Sequence, residues 1–245
     1  MEAAFIMNQA VKFFSIGLIA LGCGHLVTWK DIKVNYTRKI MHFSLFFIPI
    51  YLDQVIFYEK TLPLIVISCL VFTAILLVYI KPLRERSALI SLMFKAFDRP
   101  EDRPYTLLWL FTQVVAGYVV IVPMIVLFSY YDLQRFILLP LLITAIGDGL
   151  AEPVGVRFGR HRYQVNALFT RKKYFRTLEG SACVFIASLA LIAAHHAAFS
   201  PAQFVAAMVI VPVVMTLTEA FSPHTWDSPT LFLAGYLILF GISFI

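Results

Sequence analysis

Residues 62–80 decide the class of this protein, and they read LPLIVISCLVFTAILLVYI. The run contains no charged side chain and has the length, about 20 residues, that a helix needs to cross a bilayer. The rest of the chain has the same character, since 60% of its 245 residues are hydrophobic and 14% are charged. Soluble domains have about 25% charged residues, so this composition predicts an integral membrane protein and excludes an ordinary soluble domain.

Apolar segments of similar length recur along the chain, and each of them predicts a helix. They cover residues 11–29, 43–58, 62–80, 105–128, 134–153, 178–199, 202–220 and 229–245. The second segment is short and contains Pro49 and Asp53, so seven spans are the alternative count. We therefore predict an all-α, polytopic helical bundle with about eight transmembrane helices, forming a single transmembrane domain over residues 1–245.

The basic residues predict how these helices are oriented. Three connecting segments, 30–42, 81–104 and 157–176, contain 17 of the 20 Lys and Arg residues. In an eight-span topology all three segments fall on one side, and basic loops accumulate on the cytoplasmic side of membrane proteins. This distribution places the three loops in the cytoplasm and both termini on the opposite side. It also explains the net charge of +6 by contact with the lipid bilayer, without a nucleic-acid partner.

Two carboxylates interrupt the fifth apolar segment. Asp148 and Glu152 are one helical turn apart on the same face, and an ionised carboxylate inside a span costs about 2.5–3.5 kcal/mol. A divalent cation such as Mg²⁺ would compensate the pair, because Mg²⁺ takes one or two protein carboxylates and completes its shell with water and substrate phosphates. An ion pair with a neighbouring Lys or Arg is the structural alternative. Gly147 and Gly149 would let the backbone approach a ligand closely.

A dense basic loop follows the acidic pair directly. Seven Lys and Arg residues lie within 157–176, and this segment leads into the sixth apolar segment near Thr177. The free amides at the start of a helix favour anions. Carboxylates, glycines, bases and a helix start are therefore consecutive over residues 147–181, which indicates Mg²⁺–nucleotide chemistry at the membrane face. Without the acidic pair, membrane topology alone would explain the basic loop equally well.

Three parts of the sequence resemble the CTP-dependent polyprenol kinases, a family that includes phytol, farnesol and dolichol kinases. These parts read RKIMH at 38–42, GDGLAEPVGVRFGRH at 147–161 followed by RKKYFRTLEGS at 171–181, and EAFSPHTWDSPT at 219–230. The last part is similar to the family's Glu…Asp-Asn motif, except that Ser228 stands where Asn is usual. The resemblance implies phosphoryl transfer from CTP to the hydroxyl of a membrane-embedded isoprenoid alcohol, giving the lipid monophosphate and CDP.

The same resemblance implies which residues form the site. Asp148 and Glu152 would bind Mg²⁺, while Glu179, Glu219 and Asp227 would complete the metal site or accept the proton of the alcohol. The nucleotide-binding residues it implies are Gly147, Gly149, Arg157, Gly159, Arg160, Arg171, Lys172, Lys173 and Gly180. Secondary candidates are Arg38, Lys39, His42 and His224. We expect the five carboxylates to converge on one cavity at the cytoplasmic membrane face.

Two other functions fit parts of the pattern. A CDP-diacylglycerol synthase-like cytidylyltransferase also joins an acidic membrane helix to a basic, CTP-binding loop, but residues 204–245 lack the Lys and Arg of its C-terminal signature. An ion-coupled transporter would use intramembrane carboxylates, but the acidic residues here lie near one face and no repeat of broken helices is visible. Diacylglycerol is an alternative acceptor for a kinase.

Overall fold

The computed structural model describes residues 2–245, most of which are helical. Among them, five helical stretches are long and apolar enough to cross a membrane: Ala3–Trp29, Leu62–Tyr79, Thr106–Tyr130, Gln134–Phe158 and Pro201–Phe221. Two shorter apolar helices, Leu178–Ala194 and Asp227–Ile242, coincide with two further predicted spans. The prediction of an all-α fold is thus confirmed, and these helices agree with the predicted membrane protein, while the count of eight spans stays a prediction.

The chain forms two compact units, one ending at Thr112 and the other comprising Gln113–Ile245. The first unit contains helices α1 (Glu2–Trp29), α2 (Val34–Val55), α3 (Leu62–Leu76), α4 (Lys81–Arg86) and α5 (Ala88–Phe94). Helix α1 packs against α2 and α5. The chain then enters α6 (Thr106–Tyr130), which continues into the second unit.

Helix α2 is the segment whose Pro49 and Asp53 made a full span doubtful in the sequence. It begins nine residues before the predicted segment, at Val34, and continues through Pro49. Asp53 forms ion pairs with Lys12 of α1 and with Lys60, whose Nζ lies 3.0 Å from Oδ2. The buried Asn8 of α1 donates hydrogen bonds to the carbonyls of Leu52 and Ile56. Contacts from α1 therefore compensate the polar groups at the end of α2.

The second unit is arranged around one central helix. After α6 come α7 (Leu138–Ile143), one π-helical turn (Thr144–Asp148), α8 (Gly149–Phe158), strands β1 (Arg162–Ala167) and β2 (Thr170–Thr177), and helices α9 (Leu178–Ala194), α10 (Pro201–Phe221) and α11 (Asp227–Ile242). Helix α9 packs against α7, the π turn, α8 and α10. The start of α9 therefore lies beside the acidic segment, as their adjacency in the sequence suggested.

Two glycines allow α9 to approach the acidic segment closely. A Cβ atom on Gly147 would lie 2.9 Å from the Cα of Val184, and one on Gly180 would lie 2.7 Å from the carbonyl oxygen of Ala151. Both distances are shorter than van der Waals contact, and both involve backbone atoms, which cannot move aside as a flexible side chain can. These glycines thus have a packing role in addition to the ligand contact that the resemblance implies.

We expect Gly147→Ala to lower the stability of the protein by about 1–3 kcal/mol, because overpacking a close-packed contact forces the backbones apart. Gly241→Ala is the matched control, since Gly241 also lies in a helix but has open space where the added methyl group would lie. Alanine favours helices over glycine, so the control should retain its stability. Thermal unfolding in detergent would measure both, and equal stability of the two variants would contradict the packing role.

The basic segment that follows α8 is a β-hairpin rather than an irregular loop. Strands β1 and β2 are antiparallel, with Tyr163 paired with Arg176 and Val165 paired with Tyr174. These two pairs alternate with exposed residues along both strands, and β-branched and aromatic residues are typical of strands. The alternation is not visible in the sequence, because most residues of the segment are polar or charged. The hairpin carries Arg176 into the interior of the unit.

Candidate functional site

Arg176, on β2, occupies the centre of a buried charged cluster in the second unit. Its Nη1 lies 3.5 Å from Oε1 of Glu219, and its Nη2 lies 3.5 Å from Oδ2 of Asp227. Burial alone lowers the pKa of Arg176, but the negative charges of Asp227, Glu219 and Asp148 more than offset it and raise the pKa above its ordinary value. The guanidinium therefore stays charged and interacts with carboxylates from three different helical segments.

The three carboxylates that act on Arg176 come from separate places in the chain. Asp148 is the last residue of the π turn, Glu219 lies in the last turn of α10, and Asp227 is the first residue of α11. Asp148 and Glu219 are each 3% exposed, and the charge of Asp148 acts on Glu219 as well as on Arg176. Of the five carboxylates that were predicted to converge, Glu219 and Asp227 thus lie beside Arg176, and Asp148 acts on the same guanidinium through its charge.

A short hydrogen-bonded chain connects Glu219 to the hairpin. The hydroxyl of Ser181 donates to Oε2 of Glu219 at 2.7 Å, and the phenol of Tyr163 lies 2.7 Å from the same Ser181 oxygen. Burial, followed by the charge of Glu219, raises the pKa of Tyr163. Tyr163 therefore acts as a neutral hydrogen-bonding group that fixes the orientation of Ser181 and, through it, of Glu219.

The other two predicted carboxylates have different surroundings. Glu152 is half-buried on α8, one turn beyond Asp148. Glu179, in the first turn of α9, accepts hydrogen bonds from the backbone amide of His161 and lies 2.8 Å from Nδ1 of its ring. This contact ties the start of β1 to the start of α9.

The start of α9 is formed as the sequence predicted. Thr177 caps the helix, because its Oγ1 accepts a hydrogen bond from the backbone amide of Gly180 at 3.1 Å. A Cβ atom on Gly155 would lie 2.8 Å from this Oγ1, and one on Gly159 would lie 2.4 Å from the Thr177 methyl group. The glycine spacing of α8 therefore leaves room for the cap of α9.

The bases implied by the resemblance lie on the outside of the hairpin and of α8. Arg157, Arg160, Arg171, Lys172 and Lys173 are all exposed. Their bases make local contacts: the Nζ of Lys173 donates to Oδ1 of Asn166, the Nζ of Lys172 lies 5.1 Å from the centre of the Tyr174 ring, and the Arg157 guanidinium lies 5.5 Å from that of Phe158.

Sequence reasoning missed Arg176, Tyr163 and Ser181 as members of the site. A signal for Arg176 was present, because Tyr174 and Arg176 are two residues apart and so share one face of a strand. This signal could be recognised only once the segment was known to be a strand. In a loop, Arg176 could not be distinguished from the six other bases of the segment.

His224 helps to position the hairpin against the segment that precedes α11. Its ring stacks on Tyr174 with 3.7 Å between ring centroids, and its backbone amide donates to the carbonyl of Asn166 at 2.8 Å. Ser228 accepts a hydrogen bond from the side-chain amide of Gln113 at 3.1 Å. His224 therefore connects the strand carrying Arg176 with the loop that leads to Asp227.

The remaining secondary candidates, Arg38, Lys39 and His42, lie on α2 in the first unit. The Nη1 of Arg38 is 3.6 Å from Oδ2 of Asp102, and Arg99 binds the same oxygen at 2.7 Å. The ring of His42 packs against two phenylalanines of its own helix. These contacts give Arg38 a place in a buried ion cluster within the first unit.

The composition of the Arg176 cluster fits a hard divalent cation bound together with a phosphate. Carboxylate oxygens are the protein ligands that Mg²⁺ prefers. Those of Glu219 and Asp227 lie 3.5 Å from the Arg176 guanidinium, on which the charge of Asp148 also acts. Within residues 2–245, no group of three or more His, Cys, Asp or Glu side chains is arranged to hold a metal ion by itself. A Mg²⁺ ion here would therefore take its remaining ligands from water and substrate phosphates. Nη1 of Arg176 is buried and ion-paired with Glu219 but makes no hydrogen bond within the described residues, so its N–H groups have donor capacity left.

Comparison with known proteins gives no relative, since no family model, no curated protein and no solved structure matches the chain. The function is therefore inferred from the sequence pattern and from the geometry of the cluster.

Proposed function

We propose that this protein is a membrane-embedded lipid kinase that transfers the γ-phosphoryl group of CTP to the hydroxyl of an isoprenoid alcohol. The observation that carries the proposal is the buried cluster in which Arg176 faces Asp148, Glu219 and Asp227. Phosphoryl transfer needs positioning and charge stabilisation more than covalent chemistry. A guanidinium whose Nη1 can donate to a ligand and a set of carboxylates suited to Mg²⁺ supply these two requirements.

Asp148 and Glu152 would hold Mg²⁺, which when bound neutralises the charge of the phosphates. Arg176 would donate from Nη1 to a phosphate oxygen, and such charge-assisted hydrogen bonds are stronger than neutral ones. Arg157, Arg160 and Lys172 are the exposed bases that we assign to the outer part of the triphosphate. Glu219 or Asp227, both beside Arg176, would accept the proton of the alcohol.

The location of the cluster agrees with a lipid acceptor. Glu219 lies at the end of α10, one of the helices able to cross a membrane. An alcohol whose chain remains in the bilayer would present its hydroxyl at this depth, while CTP approaches from the aqueous side. The basic segments predict that this side is the cytoplasm and that both termini lie opposite.

The test is to incubate the purified protein in detergent with labelled CTP and Mg²⁺ and a panel of phytol, farnesol, geranylgeraniol, polyprenol and diacylglycerol. We expect release of CDP and formation of the monophosphate of one of the isoprenoid alcohols. Diacylglycerol phosphorylation alone would change the acceptor class, and release of pyrophosphate would identify a cytidylyltransferase. Ion-dependent uptake into proteoliposomes without nucleotide turnover would identify a transporter and overturn the proposal.

A further inference from the structure

The hairpin between α8 and α9 has one buried and one exposed face. The inner face contains Tyr163 and Val165 of β1 and Tyr174 and Arg176 of β2, all of them buried or half-buried, and the exposed Lys172 nearer the tip. Successive residues of a strand point to opposite sides, and the residues of the opposite side are exposed except Thr177, the buried cap of α9. These exposed residues, which we call the outer face, are Arg162, Gln164, Asn166, Arg171, Lys173 and Phe175.

The outer face combines positive charge with exposed aromatic surface. It contains three bases and no carboxylate. The ring of Phe175 is 62% exposed, and Phe169 at the tip of the hairpin is 55% exposed. Exposed apolar surface of this kind, surrounded by polar residues, commonly marks an interaction site. The charge requires an anionic partner, and the aromatic rings require a partner with apolar surface.

The hairpin connects two apolar helices, and a segment between two such helices suits the depth of the lipid headgroups. Strand β1 follows α8, which ends the possible membrane span Gln134–Phe158, and β2 leads directly into the apolar helix α9. Phe158 and Leu178, the residues at these two junctions, are both exposed. Aromatic residues collect at membrane–water interfaces, and clustered Lys and Arg beside spans attract anionic lipids. An anionic leaflet therefore matches both the composition and the location of the outer face.

We propose that the outer face of the hairpin lies on the anionic headgroups of the membrane, with Phe169 and Phe175 at the interface and Arg162, Arg171 and Lys173 beside lipid phosphates. The inner face, which carries Arg176, is then turned away from the lipid. This assignment differs from the one implied by the resemblance, which gives Arg171 and Lys173 to the triphosphate of CTP. It does not depend on the proposed kinase activity.

Site-specific fluorescence can test the contact in nanodiscs of phosphatidylcholine with or without phosphatidylglycerol. The variants Phe175→Cys and Lys172→Cys, made after replacing Cys23, Cys69 and Cys183 by Ala, would carry one thiol-linked fluorophore each. Lys172 is the matched control, because it is exposed on the same strand but faces the other side. Lipids spin-labelled near the headgroup should quench the fluorophore at position 175 several-fold more than the one at position 172. Phosphatidylglycerol should increase the quenching at position 175.

The charge contribution is tested by adding Arg171→Gln and Lys173→Gln to the Phe175→Cys variant. We expect loss of the increase caused by phosphatidylglycerol, while Lys81→Gln with Arg86→Gln, which removes two exposed bases from α4, should leave that increase unchanged. If replacing the cysteines prevents folding, native mass spectrometry can compare variants that keep them. We expect the Arg171→Gln, Lys173→Gln protein to retain less phosphatidylglycerol than the Lys81→Gln, Arg86→Gln control.

Three results would overturn the proposal. The first is quenching at position 175 by aqueous iodide but not by spin-labelled lipid, which would place the outer face in water or against a soluble partner. The second is equal lipid quenching at positions 172 and 175. The third is a loss of CTP affinity in the Arg171→Gln, Lys173→Gln variant with unchanged lipid contact, which would assign these bases to the nucleotide. Absence of CTP turnover in the unmodified protein would affect the proposed function alone.

Discussion

Under the proposed function, we expect the Asp148→Asn variant to insert and fold like the unmodified protein and to lose about 100-fold or more of its Mg²⁺-dependent CTP turnover. Asparagine has the shape of aspartate, and its neutral amide reduces the repulsion among the three carboxylates around Arg176. The same change removes an anionic oxygen ligand, and metal ions stabilise the charge of a transferring phosphoryl group by several kcal/mol. Steady-state turnover as a function of Mg²⁺ concentration measures the effect, and excess Mg²⁺ should restore part of the activity.

Glu152→Gln should behave in the same way if Glu152 is the second ligand. Asp132→Asn is the matched control, because Asp132 is exposed after α6 and has a φ of 55°, a conformation that asparagine also tolerates. The control should retain full turnover and stability. Near-normal turnover of both Asp148→Asn and Glu152→Gln would exclude the metal assignment. Loss of folding in these variants would instead support a structural ion pair as the role of the two carboxylates.

The helical segments were predictable because their signal is local. A run such as 62–80 needs no partner to reveal its preference for lipid, and the structure has a helix there from Leu62 to Leu76. The second segment was harder to predict, since its Asp53 is compensated by Lys12 and Lys60, which lie far from it in sequence or outside the helix. Such compensation depends on tertiary contacts that hydropathy does not record.

The candidate site was predictable in its acidic part and not in its basic part. Asp148 and Glu219 are prominent in the sequence because carboxylates are rare within apolar segments, and the structure buries both. Arg176 is one of seven bases in a short segment, and only its position on the inner face of a strand distinguishes it. The interaction of Glu179 with His161 was equally hidden, because it depends on how the hairpin folds back onto the start of α9.

The Arg176→Gln variant will be less stable than Asp148→Asn or Glu152→Gln, with a loss of about 3–5 kcal/mol, the range for removing one partner of a buried ion pair. Arg176 is the guanidinium on which Asp148, Glu219 and Asp227 all act. Glutamine keeps hydrogen-bonding capacity but leaves these carboxylates without its charge in a buried environment. Thermal unfolding in detergent measures the loss. Arg171→Gln is the matched control on the same strand, and an exposed change of this kind alters stability by about 0.5 kcal/mol or less.

A second substitution separates this electrostatic cause from lost packing. Glu219→Gln added to Arg176→Gln removes the carboxylate 3.5 Å from the missing guanidinium, so it should restore part of the stability although the double variant has lost more native contacts. The hydroxyl of Ser181, which donates to Glu219, can donate to the glutamine oxygen in the same way. If the double variant were less stable than Arg176→Gln alone, the guanidinium would act mainly by filling space. The carboxylates would then not repel one another strongly when the positive charge is absent. Such carboxylates would gain little from a bound cation, so the cluster would be a poor candidate for binding a cation and a phosphate.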